Sequence, residues 1–198
     1  MGNTMSPIWQ DAKAIPCRRF KCGFCGMIVA SEKGFVRAEQ LPTNEITTDE
    51  IYICSNCDRP TFFDQRRNQY PGYPFGNYVQ HISSKEVKAL YQEARYCTSV
   101  YAYTCAVLAC RKLLMNIAVD KGAPAGKKFV EYVEYLSDQN YVPPDGKGWV
   151  DRIRTTGNEA THEIALMKKE DAEDLITFVE MLLKFVYEFP AKVKPSKP

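Results

Sequence analysis

Four of the eight cysteines fall into two pairs of one form, Cys22-x-x-Cys25 and Cys54-x-x-Cys57, with 28 residues between the pairs. Two intervening residues let a tight turn present both thiolates to one ion at ~2.3 Å, and a second such turn completes a tetrahedron. The gap is somewhat longer than in most zinc ribbons, but the two-pair pattern is that of a four-cysteine zinc site. The residue after each second cysteine often needs a left-handed backbone, and Gly26 and Asp58, which stand there, both tolerate it. With all four positions taken by sulfur, none is left open for water. The spacing therefore predicts a structural Zn²⁺ held by Cys22, Cys25, Cys54 and Cys57; four ordinary thiols or two redox pairs are the competing readings. Cys17 lacks a partner at ligand spacing and reads as a bystander, while Cys97, Cys105 and Cys110 lie in an apolar helical pattern and read as small core residues.

A second constellation lies in the segment Asp151-Arg-Ile-Arg154-Thr-Thr-Gly157-Asn158-Glu-Ala-Thr-His162. On one helix, Arg154, Asn158 and His162 stand at i, i+4 and i+8 and share a face. A guanidinium can grip a phosphate, and an imidazole can move a proton near neutral pH, so the stripe suits phosphodiester chemistry. A polar contact between helices is the competing reading. His81, the other histidine, sits beside a helix start and reads as solvent-facing or as a local cap.

The elements that must position these residues fall into two kinds, so the fold class expected is α+β. Up to about Tyr78 the chain reads as short strands and turns, with β-prone runs at Met27-Ile28-Val29, Ile51-Tyr52-Ile53 and Thr61-Phe62-Phe63. Pro71, Gly72, Pro74 and Gly76, interleaved with tyrosines, argue against regular structure from Arg66 to Tyr78. Arg66 and Arg67 there could clamp single-stranded RNA, although a strap packed across the helices is the reading preferred. From Ser83 the apolar period becomes helical. Ser83 or Ser84 can cap a helix through Val87, Leu90, Tyr91 and Ala94. A second helix carries Val100, Tyr103, Val107, Cys110, Leu114 and Ile117, and a third carries Phe129, Val133 and Leu136 up to the Pro143-Pro144-Asp145-Gly146 turn. A fourth starts near Trp149 with Ile153 inward, and the last runs from Ala172 to Val186, ending before Pro190. The expected domains are an arm and zinc ribbon over 1–66, a connector over 67–82, a bundle of about five helices over 83–190 and a flexible tail over 191–198.

With 198 residues, 45% apolar and 25% charged, the chain has the balance of a folded soluble protein rather than a disordered one. No apolar run reaches the ~20 residues of a membrane span, and the first residues lack the pattern of a secretory signal. A cytoplasmic protein with reduced thiols is expected. Its net charge of +2 falls to about zero once four thiolates hold one Zn²⁺. That excludes binding of nucleic acid through bulk positive charge and requires a local cluster for any phosphate contact. Met1-Gly2-x-x-x-Ser6 matches a myristoylation pattern and is read as chance.

Four segments carry a family resemblance: Pro74 to Tyr78, Val87 to Ala94, Ala106 to Arg111 and above all Arg154-Thr-Thr-Gly157-Asn158-Glu-Ala-Thr-His162. Over roughly Tyr73 to Tyr187 the chain resembles the bacterial family catalogued as domain of unknown function 4145, itself similar to the HEPN superfamily. The resemblance implies a HEPN-like helical bundle that forms a homodimer, and RNA as ligand. It also implies metal-independent endoribonuclease chemistry in defence or toxin systems, with an arginine and a histidine a short interval apart brought together from two subunits. His162 fits the family histidine and Asn158 the polar residue after the arginine. The arginine position itself falls on Gly157, and Arg154 lies one turn earlier, with seven residues between it and His162. The alternative is a non-catalytic zinc-ribbon and helical-bundle module for protein interaction, with another protein as its partner.

Overall fold

The β-prone runs around the cysteine pairs form one antiparallel sheet in a computed structural model of the chain, which describes residues 9–40, 46–142, 148, 153 and 166–193. Its contacts divide the chain into two units, Met1–Tyr73 and Pro74–Pro198. Strands β1 (Lys13–Lys21), β2 (Ile28–Gln40), β3 (Ile46–Ile53), β4 (Pro60–Phe63) and β5 (Gln69–Tyr70) lie in sequence order. The expected runs became strand ends or whole strands. Tyr70 pairs with Phe62, so the connector contributes a short edge strand just before Pro71, where the missing N–H would stop it.

Register decides which side chains meet. Phe35, Ile51, Phe62 and Tyr70 stand in one row across β2 to β5, and Gly34, Tyr52 and Thr61 in the next. The alternation puts Tyr52 and Phe63 on one face with Phe20, and their three rings pack at centroid distances of 5.4, 5.8 and 6.1 Å. Arg18 covers Phe63 at 4.0 Å and is paired with Glu50. Around these rings the buried cluster of the first unit also contains Cys22, Val29 and Cys54.

The second unit is helical: α1 (Lys85–Ser99), α2 (Tyr103–Asp120), α3 (Phe129–Asp138) and α4 (Lys169–Leu183). Ser84 caps α1, its Oγ accepting the N–H of Val87 at 3.1 Å. The second helix starts at Tyr103 rather than Val100. Tyr101 adopts φ 63°, and the N–H of Ala102 turns back to the Cys97 carbonyl, which closes α1 before α2 begins. The inner stripe of α2, Val107, Cys110, Leu114 and Ile117, is fully buried against Phe129, Val133 and Leu136 of α3 and Leu175, Val179 and Leu182 of α4 in one core cluster. Ile153 is buried in the same cluster; the residues flanking it lie outside the described ones. Cys110 is buried and Cys97 half-buried, but Cys105 is exposed on α2, so it is not the core residue expected.

The last helix does not stop before Pro190. A π-helical turn over Lys184–Glu188 leads into a further α-helical stretch, Phe189–Val193. The wider turn shifts the hydrogen-bond ladder where proline can supply no N–H, so the chain passes it without breaking.

Residues 75–80 strap this unit through charged groups. Arg95 donates to the carbonyls of Phe75 and Gly76 at 2.9 and 2.8 Å, and Tyr91 Oη donates to the Asn77 carbonyl at 2.8 Å. The Glu180 carboxylate accepts both the N–H and the Nδ2 of Asn77, and Glu188 accepts the N–H of Gln80 at 2.9 Å. Among the described residues, no helix is long and apolar enough to cross a membrane.

Candidate metal centre

Each Cys-x-x-Cys pair sits on a tight turn built by the same hydrogen bonds. The N–H of Gly26 donates to the Cys22 carbonyl and that of Asp58 to the Cys54 carbonyl, both at 2.9 Å. Return bonds run from the Cys22 N–H to Met27 and from the Cys54 N–H to Arg59, at 2.9 and 3.0 Å. Both turns need a left-handed residue at the fifth position, and Gly26 (φ 73°) and Asp58 (φ 57°) supply it as their sequence positions suggested. Glycine at 26 answers a second demand, because a Cβ there would meet the Tyr73 ring at 2.7 Å.

The two turns bring four sulfurs together. All four Sγ atoms lie within 4.8 Å of one another, with Cys22 to Cys57 at 3.7 Å and Cys25 to Cys54 at 3.8 Å. Ligands at ~2.3 Å around a tetrahedral ion are separated by about 3.8 Å, so the donor set fits zinc in both chemistry and spacing. Cys22 and Cys54 are buried, and Cys25 and Cys57 are half-buried.

Burial raises the Cys57 thiol to about 12 and pushes the Cys22 thiol up as well. Burial opposes ionisation of Cys25 too, but the Met27 N–H, the Asn56 side chain and the neighbouring thiols outweigh it and lower Cys25 to about 7. Four thiolates at this separation repel strongly, and only a bound cation would let all of them ionise. The Phe24 N–H points to Cys22 Sγ at 3.4 Å, a bond that orients the sulfur. Cation–aromatic pairs lie beside the first turn, Arg59 over Phe24 at 5.1 Å and Lys21 over Tyr73 at 3.6 Å. Cys17 is exposed on β1 and stands outside the tetrad.

A family model described as domain of unknown function (DUF4145) matches residues 92–197. The chain belongs to this family. The DUF4145 match begins within α1, so the sheet and the cysteine tetrad lie outside it. No curated protein and no solved structure matches the chain. Arg154, Asn158 and His162 fall inside the DUF4145 match but outside the residues described here. His81 is exposed in a left-handed conformation just before α1, as a loop histidine would be.

Sequence reasoning missed the charged strap residues Arg95, Glu180 and Glu188. The signal was present in two of them: Arg95 adjoins Ala94 on the inner side of α1, and Glu180 lies among Ile176, Val179 and Leu183 on the inner side of α4. A charge set into an apolar stripe has to meet a partner from elsewhere in the chain.

Proposed function

We propose that this DUF4145 protein is a HEPN-like RNA-binding protein whose N-terminal unit is a zinc ribbon. One structural Zn²⁺ is held by Cys22, Cys25, Cys54 and Cys57; the observation that carries this is the pair of sulfur separations of 3.7 and 3.8 Å, those of a tetrahedral site. With four sulfurs the coordination is closed, so the ion holds the two turns together and takes no part in catalysis. The RNA reading is supported by the HEPN resemblance, by the spacing of Arg154, Asn158 and His162, and by the cation–aromatic pairs on the ribbon, a surface type that stacks single-stranded bases.

In this reading the protein is a cytoplasmic homodimer and a metal-independent endoribonuclease. Arg154 holds the scissile phosphate, Asn158 orients it, and His162 transfers protons as general acid or base. The RNA 2′-hydroxyl attacks, and the product ends in a 2′,3′-cyclic phosphate. Removing an acid–base histidine costs roughly 10²- to 10⁴-fold in rate. Wild type should therefore cleave mixed single-stranded RNA without added divalent metal, and His162→Ala should lose cleavage with its helical circular dichroism unchanged.

One observation favours a second reading, the non-catalytic interaction module. Phe24, Met27 and Ile28, around the first cysteine turn, are 43, 53 and 61% exposed, an apolar surface that suits a protein partner. If wild type cleaves nothing, or His162→Ala cleaves equally well, the nuclease reading fails and this module takes its place.

A further inference from the structure

The buried charges of the strap have full sets of partners. Arg111, midway along α2, does not. Its guanidinium lies 4.1 Å from the ring centroid of Phe129, the first residue of α3. Its Nη1 is sealed from solvent and meets no hydrogen-bond acceptor among the described residues. Its own helix offers none from a side chain, since the residues one turn away are Val107, Leu108, Leu114 and Met115. Arg111 as a whole is only half-buried. Desolvation lowers its pKa, yet an arginine in a protein stays charged. A half-buried cation without an acceptor is costly unless an anion from outside the described residues answers it. In the chain, Lys112 follows Arg111 and Lys128 precedes Phe129, while Lys127 pairs with Glu131 at 3.2 Å.

We propose that Arg111 is a phosphate-binding residue of the bundle. Phe129 holds the guanidinium plane, leaving a planar fork whose spacing matches two phosphate oxygens. Binding draws the fork outward along the ring and gives Nη1 the acceptor it lacks. The phosphate belongs either to an RNA backbone, in which case the site rests on the RNA reading above, or to a free phosphate compound.

The test uses the full-length, zinc-loaded protein with two probes: inorganic phosphate in thermal unfolding, and a labelled single-stranded RNA in fluorescence anisotropy over a series of KCl concentrations. For wild type we expect phosphate to raise the melting temperature. For Arg111→Gln that rise should vanish, RNA affinity should fall roughly tenfold, and the slope of log K against log salt should lose about 0.7, one phosphate contact on a single strand. Arg111→Lys keeps the charge but loses the fork, so its phosphate response should fall clearly below wild type. A phosphate response in wild type that Arg111→Gln abolishes, with no RNA bound by either, supports the site and sinks the RNA reading alone. A wild type indifferent to both probes, or an Arg111→Gln protein matching wild type with both, overturns the proposal. Should Arg111→Gln fail to fold by circular dichroism, Arg111→Lys decides alone: a phosphate response equal to wild type overturns the proposal, and a reduced one supports it.

Discussion

Around the cysteines, six buried side chains among the described residues form the apolar cluster of the first unit, and two of these are themselves cysteines of the tetrad. Among the described residues of the second unit, twenty-five buried side chains join in one cluster. The first count is too small to close a core by burial, since units of this size usually depend on a metal or disulfides. The second is enough for a bundle that folds on apolar contact alone. The difference teaches that cysteine means opposite things in the two regions. In the ribbon four sulfurs converge within 4.8 Å of one another, a donor set that could hold a metal. In the bundle Cys110 is one small apolar residue among many, its thiol held neutral by burial.

The largest expected effect breaks the two regions apart. Structural zinc contributes on the order of 10 kcal/mol or more at pH 7, so stripping it with a strong chelator should unfold the ribbon. Amide exchange should then show loss of protection in β1 to β4, with α2 and α4 still protected. Loss of protection in both regions at once would mean that the bundle also depends on the metal.

The converse experiment acts on the bundle. Leu114 is fully buried in the core, and Leu114→Ala should cost about 2–5 kcal/mol in urea unfolding. Zinc content after mild purification should stay that of wild type, because the ribbon closes its own site.

A smaller effect sharpens the account of the strap. Burial alone would raise the Glu180 carboxyl, but Lys184 and the two Asn77 donors hold it below its ordinary 4.5. A carboxyl lowered in the folded state contributes stability above its unfolded pKa and loses it as the pH falls through the folded value. Glu180→Gln should cost about 1–3 kcal/mol at pH 7. Its stability should also fall less steeply than that of wild type between about pH 5 and pH 3, measured by urea unfolding across the series. Parallel acid limbs would show that Glu180 does not carry this dependence.

The regions also differ in how much could be read from the chain. The tetrad was legible because a four-sulfur metal site calls for a fixed local spacing, which Cys22, Cys25, Cys54 and Cys57 keep. The core stripe of α2 was legible because a helix repeats its inward face every three or four residues. Cys105 misled because it lies on the outer side of a stretch, Cys105 to Cys110, that is apolar at every position, so the pattern there does not tell inner from outer. The passage of the helix beyond Pro190 could not be foreseen, because a π-helical turn depends on tertiary packing that no local pattern records. Glu180 was read past for a related reason: its partners, Asn77 and the strap backbone, are about a hundred residues away in sequence. Gly26 and Asp58, in contrast, announced their left-handed turns directly.

The claim on which the contrast between the two units depends is one zinc ion held by four sulfurs. Metal analysis together with zinc X-ray absorption on protein purified without chelator tests it most directly. The account predicts one equivalent of zinc per chain, a first shell of four sulfurs at ~2.3 Å, and loss of the metal in the Cys54→Ser/Cys57→Ser double variant. Less than half an equivalent, a shell containing nitrogen or oxygen, or full retention in the double variant would contradict it.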